Sequence, residues 1–163
     1  EAEHFRRVRR RRAGVGAGDA WLAAAHGLER WRVGTHPGPA ARSVEPLVQG
    51  SAGMAMDDAA YLVRARELCT RYEIHLIADE IMTGFGRTGK MFACEVAGIV
   101  PDLMCLSKGI TGGFLGMGAT VCSDRVEAPF RSENRLPTFY QWHLYTGNAL
   151  ARAPAHASPQ SLA

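Results

Sequence analysis

Apolar and polar positions fall into an ordered alternation only after residue 43. Val44-Glu45-Pro46-Leu47-Val48-Gln49 reads as a short strand or extended segment, and Gly50-Ser51-Ala52-Gly53 as the turn that closes it. Asp57 or Asp58 then caps a predicted helix reaching Tyr72, because Tyr61, Ala65, Leu68 and Tyr72 recur at i, i+4, i+7 and i+11. Ile74 to Ala78 is apolar at nearly every position, the pattern of a parallel strand covered on both faces. A short helix over Met91 to Ala97 follows, then a break at Pro101-Asp102, a strand over Leu103 to Leu106 and another over Gly118 to Cys122. Ser123 or Asp124 is placed to cap a helix through Phe130. Strand, helix, strand, helix, strand is the α/β pattern, in which ligands gather at the carboxyl ends of the strands.

Residues 1–43 show no period. Their nine arginines against Glu1, Glu3, Asp19 and Glu29 give +5, whereas residues 44–163 give −2, which together make the chain's +3. The basicity is therefore local to this leader. No aromatic residues interleave with the arginine run to stack on bases, which argues against a nucleic-acid arm. The arginine run lacks serine and is flanked by Glu1 and Glu3, which argues against a transit peptide. The expectation is a disordered leader, or one foreign to the domain, with a partial large domain over 44–151 and an irregular tail over 152–163, where Pro154 interrupts the helical text. No apolar run is long enough to span a membrane, and there is no apolar segment of signal-peptide type. Cys69, Cys94, Cys105 and Cys122 match neither a zinc pattern nor a redox pair, so free thiols in a reducing cytosol are expected, and no metal site.

Candidate chemistry is concentrated between His75 and Gly113. One apolar strand delivers Asp79-Glu80 and the next delivers Ser107-Lys108, with the glycine-rich turn Thr83 to Lys90 between them. Gly84 to Lys90 fits the G-x-x-x-x-G-K spacing of a nucleotide-binding loop, and an acidic strand is at hand. Against a nucleotide hydrolase, Met91 offers no hydroxyl to a metal after Lys90, and the acidic strand precedes the glycine loop. The lysines point elsewhere. The chain has seventeen arginines but only Lys90 and Lys108, and Lys108 sits between an apolar strand and a glycine-rich turn. Desolvation disfavours an ammonium, and a neutral amine is what attacks a carbonyl to form a Schiff base. With Asp79 at the neighbouring strand end, the cofactor that needs both groups is pyridoxal 5'-phosphate, whose ring nitrogen must stay protonated.

Three stretches carry a family resemblance: Glu45 to Gly50, Ala78 to Gly89, and Ser107 to Gly113. In this order they closely resemble the class III aminotransferases of fold-type I, and the likeness runs from about Val44 to Ala151. Met91-Phe92-Ala93-Cys94-Glu95 and Pro101-Asp102-Leu103-Met104 resemble the biotin-synthesis branch of that family, and Ser51 stands where the ornithine and γ-aminobutyrate branches usually carry glutamate. The resemblance implies an α/β chain forming part of a mostly parallel-sheet large domain. It implies Asp79 as partner of the pyridine nitrogen and Lys108 as the Schiff-base lysine. It also implies a cytoplasmic homodimer when complete, acting on a small-molecule amino donor and a keto acceptor, in this branch S-adenosylmethionine and 8-amino-7-oxononanoate.

The chain also departs from the family. Leu144 stands where relatives place a hydroxyl on the cofactor phosphate of the neighbouring subunit, and leucine has no donor; Thr146 is two positions away. Gly116 replaces a common proline. The family's phosphate-binding turn, ring-stacking aromatic and carboxylate-binding arginine are not found, and the chain starts at Glu1, which together lead us to expect a fragment. Two readings stay open beside the hydrolase: a transaminase or a piece of one, and an inactive remnant that binds a partner through an exposed sheet edge.

Overall fold

In the computed structural model, which describes residues 41–50, 53–131, 133 and 146–162, four strands form one sheet in the order β1-β4-β5-β6. Strand β1 is Ala41–Val44, β4 is His75–Asp79, β5 is Leu103–Leu106 and β6 is Ala119–Cys122. The first three run parallel, with Val44 opposite Ala78 and Asp79 opposite Cys105, while β6 returns antiparallel with Leu106 opposite Ala119. A separate two-stranded hairpin joins β2, Val48–Gln49, to β3, Ala55–Met56. The expected α/β character holds, with an antiparallel strand at one end of the sheet.

Helix α1, Ala59–Arg71, forms where the 3.6-residue period predicts it. The Asp58 carboxylate caps it by accepting from the Ala60 amide at 2.8 Å. Leu62, Ala65, Leu68 and Cys69 make up its fully buried stripe, and Tyr61 and Tyr72 pack half-buried at the margin. The helix ends where Glu73 adopts φ 54, which lets the Ile74 amide reach back to the Cys69 carbonyl at 2.8 Å. Val44, Leu62, Cys69, Ile74 and Leu76 then close into the core between α1 and the sheet.

Asp102, at the bend before β5, ties helix to sheet. One carboxylate oxygen accepts from Arg66 Nη1 at 2.7 Å and from the Leu76 amide at 2.8 Å. Burial by itself would raise this carboxyl, but the two hydrogen bonds and the Arg66 charge outweigh it and hold Asp102 below the ordinary carboxylate range.

Several boundaries differ from the sequence expectation. Pairing of β1 begins at Ala41, three residues before Val44, because the ladder with β4 extends over Ala41 to Val44 regardless of side-chain polarity. The expected short helix is reduced to α2, Ala93–Val96, and α3, Asp124–Glu127, continues as a 3-10 turn over Ala128–Phe130. The tail over 152–163 is not irregular: α4 runs Ala149–Gln160 straight through Pro154 and Pro159. An internal proline costs a helix about 3 kcal/mol. Here Asn148 caps the start by accepting from the Leu150 amide at 3.0 Å, and the helix packs on the 3-10 turn Lys108–Thr111 that follows β5. Residues 1–40, hence nearly all of the arginine-rich leader, and Leu144 lie outside the described residues. Among the described residues no helix is long and apolar enough to cross a membrane.

Candidate active site

Asp79 is the last residue of β4, and Lys108 comes two residues after the end of β5. Because these strands run parallel in register, both residues leave the sheet at the same edge. Asp79 is half-buried, and its Oδ1 accepts from the Ile81 amide at 3.1 Å. Neither Asp79 nor Lys108 forms an ion pair among the described residues. Lys108 is exposed rather than buried, so the desolvation expected for its amine is not supplied by the described part of the chain.

What the fold does supply is an unusual backbone. Lys108 has φ 47, in the left-handed region that side chains with a Cβ avoid. Gly109 follows because no other residue fits: a Cβ there would lie 2.8 Å from Phe85 Cβ. Ser107 Oγ donates to the Met117 carbonyl at 2.6 Å, and the buried Thr111 Oγ1 donates to the Leu115 carbonyl at 2.6 Å. From α4, Ser158 Oγ donates to the Gly109 carbonyl at 3.0 Å. The lysine turn is thus held from both sides.

The acidic pair divides into two roles. Asp79 is half-buried and accepts from the Ile81 amide, whereas Glu80 is fully buried and structural. Its carboxylate accepts from the Thr83 hydroxyl and, at 2.8 Å, from the Cys94 amide, which pins the glycine turn onto α2. Burial, then the Glu80 charge and a hydrogen bond to it, push the Cys94 thiol up to about 12. Sequence reasoning missed Glu80, Phe85, Gly109 and Ser158 as parts of the site. Of these only Glu80, three residues before its partner Thr83, left a local signal.

Gly84 to Lys90 does not form a phosphate cradle. The amides of Gly84, Phe85, Gly86 and Gly89 are bonded to the carbonyls of Glu80, Met91, Met91 and Gly86, so they are not turned toward a ligand. No long helix starts at Lys90, since α2 begins at Ala93 and has four residues. The hydrolase reading fails on this geometry. No cluster of metal-binding side chains occurs among the described residues.

A cavity of ≈ 850 Å³ opens beside the two strand ends, walled by Ile81, Cys105, Ser107, Met117, Thr120 and Arg152 among others. Asp79 and Lys108 are next to wall residues without being wall residues themselves. An acidic group and an amine on one sheet edge can hold a small molecule that carries a cationic ring nitrogen and a carbonyl. That is the donor set pyridoxal phosphate requires.

The family model described as aminotransferase class-III matches residues 16–162, reaching back into the leader set apart on sequence. Adenosylmethionine-8-amino-7-oxononanoate aminotransferase of Nitratidesulfovibrio vulgaris is 50% identical over 116 residues, which cover 71% of this chain and 21% of that protein. The enzyme of the same name from Synechococcus elongatus is 51% identical over 126 residues, covering 76% of this chain and 29% of that one. The crystal structure of the Methanocaldococcus jannaschii protein of that name superposes with a TM-score of 0.68 at 36% identity, covering 74% of this chain and 29% of its own. The chain thus spans between a fifth and a third of the length of these relatives. Family model and fold agree, and the chain belongs to the class III aminotransferases.

Proposed function

We propose that this chain is the part of a transaminase large domain that carries the cofactor's two anchors. The whole protein, on this reading, transfers an amino group from S-adenosylmethionine to 8-amino-7-oxononanoate in biotin synthesis. The observation that carries it is the placement of Asp79 and Lys108 at the ends of adjacent parallel strands, neither engaged in an ion pair among the described residues. The choice of branch is supported by relatives of that name at 50% and 51% identity.

Class III aminotransferases are pyridoxal phosphate dependent, and the residues present fit that group: a carboxylate with acceptor capacity to spare, and an amine on a fixed turn. When bound, pyridoxal phosphate supplies an electron sink for the carbon that gains or loses the amino group. Asp79 would hold the ring nitrogen and favour its protonated form through its negative charge. Lys108 is the covalent anchor. Its Nζ, when free, would hold and return a proton at the carbon that gains or loses the amino group. We further propose that the complete protein works as a cytoplasmic homodimer on small-molecule substrates. The four cysteines are all free thiols, in keeping with a reducing compartment.

The test is addition of pyridoxal phosphate to the chain, with absorbance read between about 410 and 430 nm and Lys108→Ala as control. A band in the wild type that the variant lacks is the expected result. No band, or the same band in the variant, refutes the cofactor reading. A lysine-dependent band without amine turnover from S-adenosylmethionine identifies an inactive remnant that keeps its anchors.

A further inference from the structure

We propose that Ser158 is a positioning residue for Lys108, acting through the carbonyl of Gly109. This rests on the reading of Lys108 as covalent anchor. A lysine at φ 47 keeps that conformation only when its surroundings over-determine it. On the amino-terminal side the turn is fixed by Ser107 to Met117, and Phe85 presses on Gly109 from the glycine loop. Neither contact reaches the carbonyl of Gly109, one residue beyond the lysine.

The hydroxyl of Ser158 does this from 49 residues away, at 3.0 Å. The same side chain lies 3.4 Å from where a Cβ on Gly112 would stand, so α4 touches the turn at both ends. Gly109 also accepts from the Gly112 amide at 3.0 Å, closing the 3-10 turn. Ser158 therefore fixes a peptide plane that already carries the turn's own hydrogen bond. Without the hydroxyl that plane, one residue beyond Lys108, is held by the Gly112 amide alone, which loosens the turn from which Lys108 leaves the backbone. The lysine stays chemically intact.

Ser158→Ala and Ser158→Cys remove the strong donor, the second with little change in volume, and Ser158→Thr retains it. In the full chain, two quantities are read. One is amide hydrogen exchange at Ile110 and Gly112. The other is the rate at which pyridoxal phosphate becomes fixed to Lys108, measured by borohydride reduction and mass spectrometry. The expected result is exchange and fixation altered by about tenfold in the alanine and cysteine variants, the size of one hydrogen bond, with threonine restoring both. Exchange and fixation within twofold of wild type overturn the proposal, as does a change that threonine fails to restore. If the wild-type chain takes up no cofactor, the anchor reading itself fails. Unaltered exchange instead overturns the Ser158 lock alone.

Discussion

A Cβ placed on Gly109 would lie 2.8 Å from the Cβ of Phe85, closer than two such carbons come in folded proteins. The glycine loop and the lysine turn therefore meet with no room for a methyl group between them. Gly109→Ala is expected to destabilise the chain by about 2 kcal/mol through overpacking, and to displace Lys108. Phe85→Ala opens the space, so the double variant should recover part of the loss in a urea-unfolding cycle. Strictly additive losses would show that the two residues do not confront each other.

Asp102 predicts an acid sensitivity. Its carboxyl is held below the ordinary range in the folded chain, so its stabilising effect is complete above the unfolded value, about pH 4, and is lost as pH falls through the folded value. Asp102→Ala should cost about 3 kcal/mol at pH 7, the scale for breaking a buried pair, because Arg66 and the Leu76 amide lose their acceptor. The gap between wild type and variant should narrow as pH falls below 4. A gap independent of pH contradicts this account.

Glu73 occupies a left-handed position after α1 of the kind usually filled by glycine. Glu73→Gly is expected to stabilise the chain by roughly 0.5–1 kcal/mol, seen as a higher midpoint in urea. An unchanged or lower midpoint would mean that the glutamate side chain contributes more than its backbone costs.

Thiol labelling should separate the cysteines. Burial pushes Cys69 up, and burial together with Glu80 pushes Cys94 to about 12, so neither offers appreciable thiolate at pH 8. Cys122 is exposed. Iodoacetamide followed by peptide mapping should mark Cys122 first and leave Cys94 unmodified until the chain unfolds. Labelling of Cys94 at the rate of Cys122 would show that Glu80 and α2 do not shield it.

Much of this organisation was legible from local text. Asp58 and the 3.6-residue period fix α1 because cap and stripe lie within one segment, and Pro101-Asp102 punctuates β5 so clearly that Leu103–Leu106 comes out to the residue. Asp79 and Lys108 stand out as candidates because each closely follows an apolar run. The hairpin of β2 and β3 escaped, since two-residue strands have no period. Helix α4 escaped because Pro154 and Pro159 oppose it locally, and its support comes from packing on the lysine turn. Glu80 looked like half of an acidic pair, but Glu80 falls one residue beyond β4, in the turn facing Thr83 and Cys94. Contacts such as Ser158 to Gly109 leave no trace in a linear pattern.

Lys108, at its left-handed turn beside the strand that ends in Asp79, is the proposed covalent anchor of pyridoxal phosphate. The chain has one other lysine, Lys90, which makes the test direct. After incubation with pyridoxal phosphate, reduction with borohydride and proteolysis, the account predicts the cofactor's mass on the peptide containing Lys108 and none on that containing Lys90. Label on Lys90, equal label on both, or no label on either would contradict it.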